Sequence, residues 1–280
     1  MKLSRVVCGG LVCAAVLSPP VLGAPPAPRE SWPSRVSATY KVTFNGFDIG
    51  AFKFTSDVSG KGYSLSSDAQ ISALLGAFTW RGVSRTTGTL ASGEPRPGGY
   101  AFNFQSNSRQ GAVRIGFTDT RISNLSVMPP SEPLPDIVPL KEQHLKDVLD
   151  PLSAVMAVSR ASAEPCNRKL AIFDGKQRFD LVFSFRRQEK VAEQRPSGHP
   201  AVAHVCRVRY VPIAGYRATG ETKQLSDSSA IEVTLRSVPN ANLVVPYLVT
   251  IPTFAGSASI ELSRIEITTT DKGQIALAHH

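Results

Sequence analysis

The residues with the most chemical potential sit in two short stretches, Phe173-Asp174-Gly175-Lys176-Gln177-Arg178-Phe179-Asp180-Leu181 and Cys206-Arg207-Val208-Arg209-Tyr210. In the first, Asp174 and Gly175 have the make-up of a tight hairpin turn, because Asp bonds its own backbone and Gly tolerates positive φ. Arg178 and Asp180 then share one face of the following strand, with Phe179 and Leu181 on the other. Two readings fit: a hairpin carrying a charge pair, or a polar ligand site made of Asp174, Arg178 and Asp180. In the second stretch Arg207 and Arg209 share one strand face. Adjacent guanidiniums can grip a phosphate or a carboxylate, and a solvated face with intramolecular ion pairs explains them equally well.

Hydrolytic chemistry finds little to work with. Asp180 and Asp150 form a nominal carboxylate pair for glycoside hydrolysis, but sequence does not place them at working separation. Ser153 follows Pro151-Leu152 and lacks the Gly-x-Ser-x-Gly elbow of a serine nucleophile. His144, His199, His204, His279 and His280 show no compact metal-ligand spacing. The reading therefore assigns no catalytic residue, no metal and no cofactor.

Four cysteines are present, Cys8 and Cys13 near the start and Cys166 and Cys206 far from it. The first two fall in a leader: Lys2 and Arg5 precede an apolar run from Val6 to Leu17, then the small-residue zone Val21-Leu22-Gly23-Ala24, the pattern of a cleaved secretory signal peptide. An oxidising compartment makes one Cys166–Cys206 disulfide the simplest state of the remaining pair. Zinc is the weaker alternative, since Cys-x2-Cys spacing is missing. No later apolar run reaches the length of a transmembrane helix. The 31 basic and 22 acidic residues give +9; loss of Lys2 and Arg5 with the leader leaves 29 against 22, or +7. That excess favours anionic partners without choosing among them. No basic module of a nucleic-acid binder is present, and export removes the usual targets, so no nucleic-acid partner is expected.

The elements that must position these residues are strands. Val36, Ala38, Tyr40, Val42 and Phe44 alternate with polar residues before Asn45-Gly46, a strong hairpin signal. Similar patterns recur to Leu125 and again from Cys166 to Ile267, joined by Gly, Asn and Asp turns that imply antiparallel pairing. Between them lie a Pro-rich strap (Pro129–Pro139) and a helical segment over 142–158, in which Asp150-Pro151 reads as a cap followed by proline at the first helical position. The expected fold is mainly β: one large curved antiparallel sheet, β-spiral or half-barrel-like, with one or two short helices packed against it. Closing or spiralling would protect its edges. The expected organisation is a signal peptide (1–23), a flexible mature N-terminus (24–34), a single β domain (35–270) and a C-terminal tail (271–280).

The chain resembles the DUF3108 family of envelope proteins of Gram-negative bacteria. The resemblance rests on Tyr40-x-Val42 with Gly50, Pro129-Pro130, Val138-Pro139-Leu140, His144-Leu145, Val148-Leu149-Asp150-Pro151-Leu152-Ser153-Ala154, Cys166-Asn167-Arg168, the Phe173–Leu181 stretch and Cys206–Tyr216. It spans about residues 36 to 268, and it implies a curved β-spiral design and, by association, a role in envelope maintenance, with no catalytic set to carry over. Together these readings lead to an expectation of a non-enzymatic periplasmic protein that binds an envelope lipid, peptide or protein, with an envelope hydrolase acting on glycan or lipid as the alternative. Mass spectrometry of protein recovered from the periplasm should show a chain lacking its first 23 or 24 residues; a full-length, membrane-held chain would overturn the leader assignment.

Overall fold

A computed structural model describes residues 32–130, 136–191, 202–269 and 273–278. The expected signal peptide and most of the expected loose N-terminus lie outside these residues. Seven strands come first: β1 (Arg35–Phe44), β2 (Phe47–Ser59), β3 (Gly62–Ala73), β4 (Phe78–Ala91), β5 (Glu94–Ser106), β6 (Gln110–Thr118) and β7 (Arg121–Met128). Helix α1 (Pro151–Val158) comes next, then β8 (Arg168–Phe173), β9 (Arg178–Lys190), β10 (Val202–Ala214), helix α2 (Gly220–Asp227), β11 (Glu232–Val238), β12 (Leu243–Thr253), β13 (Gly256–Thr269) and β14 (Gly273–Ala278). The alternation seen in the sequence sets which face is buried: in β1 Ala38, Tyr40 and Val42 point inward, and in β3 Tyr63 and Leu65 do.

All fourteen strands belong to one antiparallel sheet, in the order β7-β6-β5-β4-β3-β2-β1-β13-β12-β11-β10-β9-β8, with β14 on β13. The two halves of the chain are joined at its centre, where β1 pairs with β13 from Arg35↔Thr268 to Phe44↔Ala258. The segment expected to be a tail thus supplies a further strand.

The expected curvature is corrected by this topology. The sheet is neither closed into a barrel nor strongly curled, so it is not the β-spiral or half-barrel anticipated. Strands β7 and β8 end the path and do not pair with each other. The expectation of closure rested on the cost of open edges, and the protein meets that cost differently. Lys146 bridges to Arg121 of β7, where the Asp147 amide donates to the Thr120 carbonyl at 2.8 Å. Leu149 then lies parallel to Ile172 of β8, donating to the Ala171 carbonyl at 2.8 Å and accepting from the Phe173 amide at 2.9 Å. One short irregular segment therefore satisfies backbone groups on both edges. The sequence reading placed residues 144–149 on a helix; only Glu142–Leu145 turn helically, as a 3-10 turn, and Lys146 and Leu149 form bridges on either side of a bend at Asp147 (φ +52°).

The hairpin between β8 and β9 also reaches across. Gly175 has φ +103°, and a β-carbon there would sit 2.3 Å from Val113 Cγ1 of β6, so the turn needs glycine for both conformation and contact. Of the Pro-rich strap, residues 131–135 lie outside the description, while Val138 exchanges hydrogen bonds with Gly215 and Tyr216.

Cys166 and Cys206 form a disulfide with Cα atoms 5.2 Å apart. It joins the segment entering β8 to β10, across the intervening β9, and packs among Val158, Phe183 and Val208. Cys206→Ser, or reduction, should lower stability by about 2–5 kcal/mol in denaturant titrations. No metal should be released, and native thiol labelling should find neither cysteine free; two reactive thiols in periplasmic protein would contradict the bridge.

Candidate functional site

The most unusual chemistry in the protein lies beneath α1. Asp150 is fully buried and caps the helix: its Oδ1 accepts from the amides of Leu152 (3.0 Å) and Ser153 (3.1 Å). The same oxygen accepts from Thr86 Oγ1 of β4 at 2.7 Å, and Oδ2 accepts from Ser153 Oγ at 2.5 Å. Since the Ser153 proton is given to Asp150, Tyr63 of β3 donates to Ser153 Oγ, 2.8 Å away. Burial pushes the Asp150 carboxyl up from its ordinary range, and the hydrogen bonds oppose that shift. Burial likewise pushes the Tyr63 phenol up, and that of Tyr100 to about 12.

At the other end of α1, the Arg168 guanidinium donates to the carbonyls of Ala157 and Arg160. The helix is thus held by a carboxylate at its N-terminus and a cation at its C-terminus, both signs matching its dipole. An Asp–Ser–Tyr chain of this kind could pass a proton, but Asp150 and Ser153 are each 0% exposed, so no substrate reaches them. Its work is to fasten a helix to strands.

The residues singled out in the sequence are dispersed among structural roles. Asp174 closes its turn, accepting from the amides of Lys176 (2.8 Å) and Gln177 (2.7 Å), and burial pushes its carboxyl up. Arg178 and Asp180 form an ion pair at 2.6 Å, and Lys169 joins Asp180 at 2.9 Å. Arg207 and Arg209 are exposed on β10. Arg207 is in register with Glu232 of β11, whose carboxylate is paired with Arg186 and Arg187 of β9. The geometry therefore gives Asp174 to the turn, makes Arg178 and Asp180 a pair, and leaves the two arginines on an open strand face. Among the described residues no cluster of three or more His, Cys, Asp or Glu could hold a metal.

A different surface has room for a ligand. On the inner face of β4–β6, beyond the part α1 covers, Trp80, Phe102 and Phe104 are half-buried. Their ring centroids are 6.4 Å (Trp80–Phe102) and 5.8 Å (Phe102–Phe104) apart. Glycines let the rings lie flat: a β-carbon at Gly82 would meet Trp80 at 2.3 Å, and one at Gly111 would meet Phe104 at 2.4 Å. Arg81, Val83, Asn103 and Gln105 alternate with these residues and so point to the opposite face, where they line a separate groove of about 810 Å³ that Phe104 and Gly111 also border.

A family model described as a protein of unknown function (DUF3108) matches residues 39–269. The chain belongs to the DUF3108 family. No curated protein matches it. It is similar in fold to a crystal structure from Brucella abortus titled a beta-barrel-like protein of a domain of unknown function, DUF1849, with a TM-score of 0.50 and 12% identity over 84% of this chain and 98% of that one. At that identity the likeness speaks to fold alone.

In this DUF3108 chain, the Asp150-Pro151 cap was readable, but its partners were not. The available signal was polarity at inward positions, since Thr86, Ser84 and Ser67 occupy strand positions where an apolar residue would be expected. Whether Phe102 and Phe104 line a groove or fill the core is a choice the sequence leaves open; the Trp80-x-Gly82 spacing is the signal that could have marked the floor.

Asp150→Ala removes the cap and strands the Thr86 and Ser153 hydroxyls, so urea titrations should show a loss of about 3 kcal/mol or more. Asp150→Asn keeps the capping oxygen and should cost less. The folded-state pKa of Asp150 is raised, so its contribution is fully present below the unfolded value near ~3.9 and is lost as pH rises through the folded value. Wild-type stability should accordingly fall relative to Asp150→Asn over that rise; a flat difference would contradict the assignment.

Proposed function

We propose that this is a non-enzymatic protein of the periplasm that supports the cell envelope by binding an apolar envelope component, a lipid chain or an apolar peptide or protein segment. The observation that carries the reading is the half-exposed Trp80–Phe102–Phe104 floor on the inner face of the sheet, beyond the part α1 covers. Apolar ligand sites are walled mainly by aromatic and aliphatic side chains, as this floor is. The leader-like N-terminus of the sequence and the disulfide both suit an oxidising compartment. The acids that a hydrolase would need, Asp150 and Asp180, are buried in capping and ion-pair roles, which favours binding over hydrolysis.

The test is ligand capture. Native mass spectrometry of protein purified gently from envelope extracts should show a bound lipid or peptide. Titration with a lysophospholipid should shift the emission of Trp80. Phe104→Ser should weaken that binding by about tenfold or more, since burying an aromatic ring is worth roughly 1.5–3 kcal/mol. No shift with lysophospholipid or apolar peptide, and no co-purified ligand, would overturn the reading.

A further inference from the structure

Phe47 (76%), Leu74 (80%), Leu75 (109%) and Phe254 (67%) are the most exposed large apolar side chains among the described residues, and all four lie at hairpin tips. The tips share one end of the sheet. Gly50 pairs with Ile71, so three residues further on Phe47 is level with Leu74. Phe44 pairs with Ala258, so two residues on Gly46 is level with Gly256, and Phe254 belongs to that tip. With strands spaced about 4.8 Å, neighbouring tips succeed one another at about 10 Å along a line. Phe78, 46% exposed, stands beside the leucines.

Turn chemistry does not explain these residues. At the opposite end the turns carry Gly60-Lys61, Ser92-Gly93 and Asp119-Thr120, ordinary polar turn residues. Leu74 and Leu75 instead occupy the left-handed region, with φ +53° and +56°, where a bulky residue is an outlier and Asn or Gly would be preferred. Two leucines there cost stability and gain no packing, a combination found where strain serves a function.

Charge points to the occupant. Within tips 45–48, 74–78, 106–109 and 253–256 the charged residues are Asp48, paired with Lys41 at 3.4 Å, and Arg109. At the same end Lys176 stands exposed on the β8–β9 tip and Glu221 at the start of α2 beside Phe254, and the chain without its expected leader is +7. An apolar line with cations and no unpaired acid in those tips complements an anionic bilayer surface, which takes apolar side chains at its headgroup boundary and attracts basic ones.

We propose that this rim of hairpin tips docks the protein end-on onto an anionic phospholipid bilayer, with Leu74, Leu75, Phe47 and Phe254 entering the interface. The proposal does not depend on whether the aromatic floor binds a ligand. Protein purified from the periplasm is floated with vesicles of phosphatidylethanolamine and phosphatidylglycerol, alongside Leu74→Asn/Leu75→Asn and Phe185→Ser. Wild type should float. The double variant should partition at least about tenfold less while its melting temperature holds or rises, because Asn suits the left-handed region. Phe185→Ser, which removes an exposed ring remote from the rim, should float as wild type does. Wild type left unbound, or a double variant that floats equally well, would overturn the proposal. So would a vesicle-free dimer that the double variant dissociates, which would give the rim to a second copy of this chain.

Discussion

A carboxylate buried at the start of an eight-residue helix is the constraint on which the rest of the arrangement turns. A helix that short is unstable by itself, since nucleation costs are barely repaid over two turns. Asp150 supplies the missing amide acceptors while drawing in hydroxyls from Thr86 of β4 and, through Ser153, Tyr63 of β3. The same atoms thus stop the helix from fraying and fix where it sits on the sheet. Removing the carboxylate from water is tolerable because four hydrogen bonds and the helix N-terminus surround it. Arg168 completes the arrangement at the opposite terminus, two residues after the cysteine that ties this corner to β10.

The position of α1 then decides how a fourteen-stranded sheet survives with two open edges. Of the four residues leading into the cap, Lys146 bridges to β7 and Leu149 to β8, with Asp147 in the left-handed region between them. They can do so only if Asp150 anchors α1 at their C-terminal end. Below the helix, Leu152 and Met156 pack with Leu65, Ile115 and Phe173, so residues from both ends of the strand order share one core. Beyond the helix the inner face is left to Trp80, Phe102 and Phe104, whose rings rest on glycines instead of on a covering element. The surface proposed to bind ligand is what the short helix leaves uncovered.

Much of this was legible in the residues. Period-two alternation located the strands because a sheet with one buried face imposes it, and Asn45-Gly46 marked a hairpin because its turn needs positive φ. The Asp150-Pro151 cap and the cysteine pair were readable for similarly local reasons. What failed was non-local. Val148 and Leu149 fit a helical face, yet their backbone is claimed by strand edges far away in sequence. Residues 217–229 are mostly polar, with no apolar period to mark a helix, yet Thr219 caps α2 there and Leu225 packs on the sheet. The expected curl assumed that edges must be closed by each other, when a four-residue strap suffices. As for the site, Asp174, Arg178 and Asp180 looked chemical because charged residues near a turn always do; their partners lie mostly within their own hairpin.

Native-state hydrogen exchange tests most directly whether Asp150 organises the fold. The amides that depend on it are those of Leu152 and Ser153 at the cap and of Asp147, Leu149 and Phe173 along the strap. If the cap and strap are one anchored unit, these amides open only with global unfolding and track the core strands β3 and β4 across a denaturant series. Exchange of the cap and strap amides through a local opening several kcal/mol below the global value, with β3 and β4 still protected, would contradict the account.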